Sequence, residues 1–414
     1  MEMMSAGAAP PDTAAQVWRG RADSIKGIEQ ELSRMWSAAA ETLGEQAAES
    51  RDEARGEPQL AGRMDEPGDV RVRTRTSVLT LLVVASRPET TERCLHAVSL
   101  LSARHPSRAI ILAPGDPDGP PTVDAHIFAR CQLSKNRTSE TCTEEIYLRT
   151  GGEIAQHLTG VVAPLLVHDL PVVLWWPDDP PIGSRPFREL LETSDRLLVD
   201  SGAFREDGAK RLVGLAAVVA EGRPTAYDIG WMRQTLWREL LAGLFDHPLL
   251  LPELDHLRSI RIDISRPGDT VRITKAACFA GWLAAALGME IGTPMQRAPD
   301  SESLFGSLRQ GRHQVRVEFR PVRTWADPHV RWPGSLTRVE LELGRGRHDI
   351  RARVTRAPDH LVATADWAGA RVTRRGGRLE PFGEAPYVAE ALDATGPDRV
   401  FERSLAMAAR LVGQ

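Results

Sequence analysis

The sequence has little lysine, little cysteine and no long apolar run. Lys26, Lys135, Lys210 and Lys275 are the only lysines among 52 basic residues, so positive charge is carried almost wholly by arginine forks, which suit bidentate contacts. The cysteines are Cys94, Cys131, Cys142 and Cys278. Their spacing fits neither a zinc site nor a CxxC redox pair. Cys131 and Cys142 fall on consecutive strand-like segments, where a bridge is geometrically open, but reduced, buried thiols are the expectation for a cytosolic chain. The longest apolar stretches, Val78–Ala85 and Ala163–Val167, fall short of the roughly 20 residues a membrane helix needs. An acidic, Ala-rich start without an apolar core excludes a secretory signal. A cytoplasmic protein with no membrane partner is expected. A net charge of −4 argues against a nucleic-acid partner held by phosphate neutralisation.

Motifs of catalysis are missing as well. No GxGxxG follows a strand, and GxxxxGK[ST], HExxH and GxSxG do not occur. No His/Cys set has metal-ligand spacing. No catalytic, cofactor or metal residues are therefore expected. His168-Asp169 can act as an acid/base pair or, more simply, as a helix end and turn. Asp178-Asp179 can hold a cation or, between prolines, form an exposed loop.

What the chain does have is alternation of strand and helix. At 414 residues it is long enough for two or three domains. A helical stripe from Asp12 to Ala48 carries Val17, Ile25, Ile28, Leu32, Met35, Trp36 and Leu43 near a 3 to 4 residue period, and Glu49–Asp69 reads as a linker. Val70–Ala85 reads as one long strand, continuously apolar at its end and so covered on both faces. Helix Glu89–Ser102 and strands Ser107–Leu112, Val123–Leu133 and Glu144–Leu148 follow. Then come helix Glu153–His168, strand Pro171–Trp176, helix Pro186–Glu192 and strand Arg196–Val199. Helices Ala209–Val219 and Ile229–Leu244 follow, the second capped by Asp228. Beyond a strand at Arg258–Ile264 and a helix at Val271–Leu287, short alternating segments from Gln314 to Val372 predict an antiparallel meander. Helices Pro386–Leu392 and Pro397–Leu411 end the chain. The expected fold is α/β: a mainly parallel sheet flanked by helices over 70–250, an α+β domain over 251–414, and a helical extension and linker over 1–69.

Two constellations stand out. In His105-Pro106-Ser107-Arg108 a helix ends, proline blocks its continuation, and a strand opens with an arginine at its mouth. That arginine can satisfy helix-end carbonyls or contact an anion or partner. In Leu170–Pro177 a buried strand exits into Trp175-Trp176, whose side chains point to opposite faces. One ring is expected in the core and the other presented near the sheet edge, as an interface tryptophan would be.

His105–Arg108, Cys131–Ser134, Glu145-Ile146, Pro164–Leu166, Leu170–Trp176, Asp195–Ser201, Trp237–Ala242 with Phe245-Asp246, and Gly281–Leu283 occur in an order that resembles the OpcA family over roughly residues 75–290. The resemblance implies a non-catalytic effector that associates with glucose-6-phosphate dehydrogenase and promotes its active oligomer, at entry to the oxidative pentose phosphate pathway. Trp175 and Trp176 are then the first interface candidates, followed by Arg108 and Arg238, although Arg238 can pair internally with Asp195 or Asp200. Some relatives are linked to thiol control through late cysteines. No cysteine follows Cys278, so that control is not carried over. The rival reading is an enzyme or sensor binding a sugar phosphate at the sheet edge through Arg108, Asp200 and Ser201. Homo-oligomerisation through the N-terminal helix is a third.

Overall fold

A computed structural model describes residues 16–38, 72–75, 77–102, 104–133, 139–205, 207–266, 271–299, 301–323, 334–344, 349–379 and 383–413. The chain divides into two compact units, one of Met1–Trp175 with Glu189–Asp195, the other of Trp176–Arg188 with Arg196–Gln414.

The first unit is built on a mixed sheet. Its strands are β1 (Gln16–Ala22), β2 (Val72–Arg75), β3 (Leu79–Val84), β4 (Ser107–Pro114), β5 (Thr122–Leu133), β6 (Ser139–Gly151) and β7 (Val172–Trp176). Their order is β1-β5-β6-β4-β3-β7, with β2 also on β6. The β6-β4-β3-β7 part is parallel, and β1, β5 and β6 are antiparallel. All six side chains of β3 are buried, as its unbroken apolar run predicts. Helices α1 (residues 25–38), α2 (Pro88–Leu101) and α3 (Leu158–Val162) complete the elements named for this unit.

Several expectations are corrected here. The stripe expected to be helical from Asp12 is a helix only over 25–38 among the described residues. Gln16–Ala22 is instead a strand, paired antiparallel with β5. Gly20 weakens a helix at that point, and the open edge of β5 supplies the backbone partners a strand needs. On α1, Ile28, Leu32 and Met35 are buried, the i, i+4, i+7 stripe that was expected. The segment Glu49–Asp69, expected to be a linker, lies outside the described residues. The long strand from Val70 is two strands: β2 joins β6, whereas β3 joins β4 and β7. The helix expected at Glu153–His168 breaks into 3₁₀ turns at Gly152–Gln156 and Ala163–Leu165 around α3, since Pro164 has no N–H to give. Cys131 and Cys142 stand directly opposite in the β5–β6 register and form a disulfide, against the expectation of reduced thiols. Cys94 and Cys278 are free and buried.

The second unit holds the parallel pair β8 (Arg196–Val199) and β9 (Thr225–Asp228). It also holds an eight-stranded sheet of β10 (Leu257–Arg266), β11 (Glu290–Arg297), β12 (Leu304–Gln310), β13 (His313–Arg323), β14 (Leu336–Leu343), β15 (Ile350–Arg356), β16 (His360–Trp367) and β17 (Ala370–Arg378). The order is β11-β12-β13-β10-β14-β15-β16-β17. Strands β14 to β17 are the antiparallel meander the turn signals predict. Strands β9, β11 and β12 were not foreseen, nor was the insertion of β10 between β13, to which it is parallel, and β14, to which it is antiparallel. Helices α5 (Gly208–Ala220), α6 (Ile229–Met232), α7 (Thr235–Leu244), α8 (Thr274–Ala286), α9 (Ala385–Asp393) and α10 (Arg399–Val412) accompany these strands, as does the Arg185–Arg188 part of α4 (Arg185–Glu192). The single helix expected over Ile229–Leu244 is broken at Arg233-Gln234 into α6 and α7. Helix α8 is buried on nearly every face. A side chain on Gly281 would come within 2.3 Å of Ser404 O and 2.7 Å of Ala408 N, so only glycine lets α8 lie this close to α10.

Candidate functional site

Arg108 opens β4 and is buried. Its Nε donates to Glu144 Oε2 at 2.7 Å, and its Nη1 donates to Leu165 O at 2.8 Å. The other Glu144 oxygen accepts from Trp36 Nε1 of α1 at 2.5 Å. The guanidinium thus satisfies a helix-end carbonyl and a buried carboxylate together, the simpler of its two expected roles. Next along β6, Glu145 pairs with Arg130 at 2.9 Å. Burial raises its carboxyl above the ordinary range, and Arg130 pulls it partly back.

Both tryptophans of β7 are buried, Trp175 at 0% and Trp176 at 4% exposure. The expected split into one structural and one presented ring is therefore corrected. Trp176 packs on Phe187 of α4 with ring centroids 5.4 Å apart. Trp175 stands opposite Val83 in the β3–β7 register, and its indole N–H has no hydrogen-bond partner among the described residues. Asp195 accepts from Val172 N at 2.8 Å, which ties the start of β7 to the turn before β8. The loop after Trp176 is not the exposed one expected. Asp178 is buried, and Asp179 accepts from Arg205 N at 2.7 Å and pairs with Arg211 at 3.4 Å. His168 and Asp169 are exposed, and Asp169 has a φ of 64°, the left-handed geometry of a turn residue.

Arg238 is internally satisfied, but not by Asp195 or Asp200. It lies over the Trp231 ring at 3.5 Å from the centroid and donates to Trp231 O at 2.8 Å and Thr235 Oγ1 at 2.9 Å. Trp231 lies seven residues earlier, across the break between α6 and α7, and its ring face offers the guanidinium a cation–π contact. Burial lowers its guanidinium to about 10, which leaves it charged at neutral pH. Trp231 Nε1 in turn donates to Asp398 Oδ2 at 2.9 Å, and Asp398 caps α10 through Val400 N and Phe401 N.

A buried polar cluster of the second unit sits where β8 and β9 end. Asp228 closes β9 and caps α6, as its position before the apolar run predicts. It accepts from Ser201 N at 2.8 Å, Ser201 Oγ at 2.5 Å and Gly230 N at 2.9 Å. Burial, with Asp200 nearby, still pushes its carboxyl up to about 6. Asp200 accepts from Gly202 N at 3.0 Å and forms an ion pair with Arg233, whose guanidinium lies over the Tyr387 ring. Thr274 Oγ1 donates to Ser201 O at 2.8 Å, tying α8 to the same turn. Burial raises the Cys278 thiol well above its ordinary value, so it stays protonated. Of this cluster, sequence reasoning picked out Asp200, Ser201 and Asp228 and missed Arg233 and Lys275. The available signal for Lys275 was its rarity: a lysine in an arginine-rich chain, placed in the first turn of a helix.

Comparison with known proteins settles the grouping. Residues 98–216 match the family model described as glucose-6-phosphate dehydrogenase subunit N-terminal domain, and residues 224–405 match the corresponding C-terminal domain. The chain belongs to the OpcA family. It is 29% identical over 226 residues to the OxPP cycle protein OpcA of Nostoc punctiforme, a match covering 54% of this chain and 47% of that one. Against the protein of the same name from Synechocystis it is 30% identical over 188 residues, covering 45% and 38%. The chain thus spans less than half the length of these OpcA relatives. Among solved structures, a 3-ketoreductase from Actinomadura kijaniata aligns with a TM-score of 0.43 at 12% identity, covering 81% of this chain and 97% of that one. A dehydrogenase from Clostridium difficile aligns at 0.41 and 7%, covering 80% and 97%.

Proposed function

We propose that this chain is a non-catalytic effector of glucose-6-phosphate dehydrogenase, acting in the cytoplasm by binding the dehydrogenase and favouring its active oligomer. The family match across residues 98–216 and 224–405 carries this reading. A partner shifts such an equilibrium only by binding the active assembly better than the inactive one. Trp175, Trp176, Arg108 and Arg238 then serve the interface from beneath, since each is held by contacts inside the chain. They fix the backbone whose exposed residues meet the partner.

The test is dehydrogenase kinetics and solution mass, with and without this protein from the same source. A rise in velocity or substrate affinity, together with a larger assembly, is expected. No change in velocity, affinity or mass would defeat the proposal.

A further inference from the structure

The parallel strands β8 and β9 end at Asp200 and Asp228, and α8 begins beside them. Thr274 Oγ1 donates to Ser201 O, and Gln234 Nε2 donates to Lys275 O at 3.2 Å. Carboxyl ends of parallel strands set against a helix N-terminus are where α/β folds hold anionic ligands. Here two further observations point to a missing negative charge.

The first is the helix start itself. Helix α8 has no side-chain cap and no acidic residue in its first turn. In their place stand Arg272 and Lys275, at the end of the helix where the dipole disfavours cations. The second is a set of polar atoms with nothing to bind. The buried Nε of Arg272, a donor, has no partner among the described residues. The Lys275 ammonium makes no hydrogen bond or ion pair among the described residues. Asp200, the acid beside it, is already engaged by Arg233 and by Gly202 N. Burial pushes the Lys275 ammonium down to about 8; Asp200 opposes this, and Arg233, Arg272 and Arg356 add to it. Gly202 makes room for the lysine, because a Cβ there would stand 2.3 Å from Lys275 Cε and 3.1 Å from its Nζ.

We propose that the turn after β8 and the first turn of α8 form a binding site for the phosphate group of a small molecule. Lys275 and Arg272 are its cations, and the first-turn N–H groups of α8 its neutral donors. A phosphate offers enough oxygens to take an ammonium, a guanidinium and backbone N–H groups at once, which a carboxylate does less well. The site does not depend on the dehydrogenase reading, because binding is measured on this chain alone.

Calorimetric titration of the full chain with inorganic phosphate and with a hexose 6-phosphate tests it, against acetate and the neutral hexose. Both phosphates should bind, and acetate and the hexose should not. Lys275→Met should weaken phosphate affinity about tenfold or more. Gly202→Ala keeps the charge but displaces the lysine, and should weaken affinity in the same direction. No heat with millimolar phosphate, acetate binding as tightly as phosphate, or full affinity in Lys275→Met would overturn the proposal. If circular dichroism shows Lys275→Met unfolded, full phosphate affinity in a folded Gly202→Ala overturns it instead.

Discussion

Arg108 shows what a single residue's neighbours can hide. Its place after His105-Pro106-Ser107 was legible, and so was the choice between a helix-end carbonyl and a partner. The choice itself needed Glu144 and Leu165, 36 and 57 residues away, which no local pattern supplies. Arg108→Ala strips a buried carboxylate of its cation and should cost about 3–5 kcal/mol of stability, read by urea denaturation. A variant of unchanged stability that had lost its effect on the dehydrogenase would instead make Arg108 a direct contact. Asp228 lends itself to a pH test. Its carboxyl is raised from 3.8 to about 6 in the fold. The stability this gives is fully present below the unfolded value and is lost as pH rises through about 6, a swing on the order of 3 kcal/mol. Asp228→Asn keeps acceptors for Ser201 N and Gly230 N and removes the titration. The stability difference between parent and variant should therefore shift in the variant's favour from pH 4 to pH 7. Parallel profiles would exclude the assignment.

Elements were legible where their period was strong and illegible where a distant partner decided. The β3 run, the meander β14–β17 and helices α5, α8 and α10 follow their patterns. Strand β1 does not, because the edge of β5 outweighs its helical neighbourhood. The β5–β6 pair is closed by Cys131–Cys142, which are 11 residues apart in sequence. Closing a loop of that size is worth roughly 3 kcal/mol through the unfolded chain. Reduction should lower the denaturation midpoint accordingly, and Cys131→Ser with Cys142→Ser should match the reduced parent. Between helices, Gly281 sets the α8–α10 spacing. Gly281→Ala gains about 1 kcal/mol of helix propensity, yet the backbone of α10 stands in its way. A net loss of about 1–3 kcal/mol is expected; a stabilised variant would show that the helices separate freely.

For the whole molecule, the family was legible from ordered motifs, whereas the way the polar residues pair was not. Lys275 stands out in the sequence only as one of four lysines, because its setting is made by β8, β9 and α8 together. If this chain raises the dehydrogenase's affinity for substrate by some factor, substrate must raise the dehydrogenase's affinity for this chain by the same factor. Titrations run in both orders check that equality, and a mismatch would mean that the effect is kinetic only. The Ser201 turn has one last consequence, for how the second unit comes together in time. Ser201 is joined to Asp228 across 27 residues and to Thr274 across 73. Contacts that distant form only after the loops between them have closed. A fragment ending near residue 250 would therefore leave Ser201 and Asp228 paired but without α8. The turn should gain its full protection from hydrogen exchange only after the chain has been made beyond Thr274.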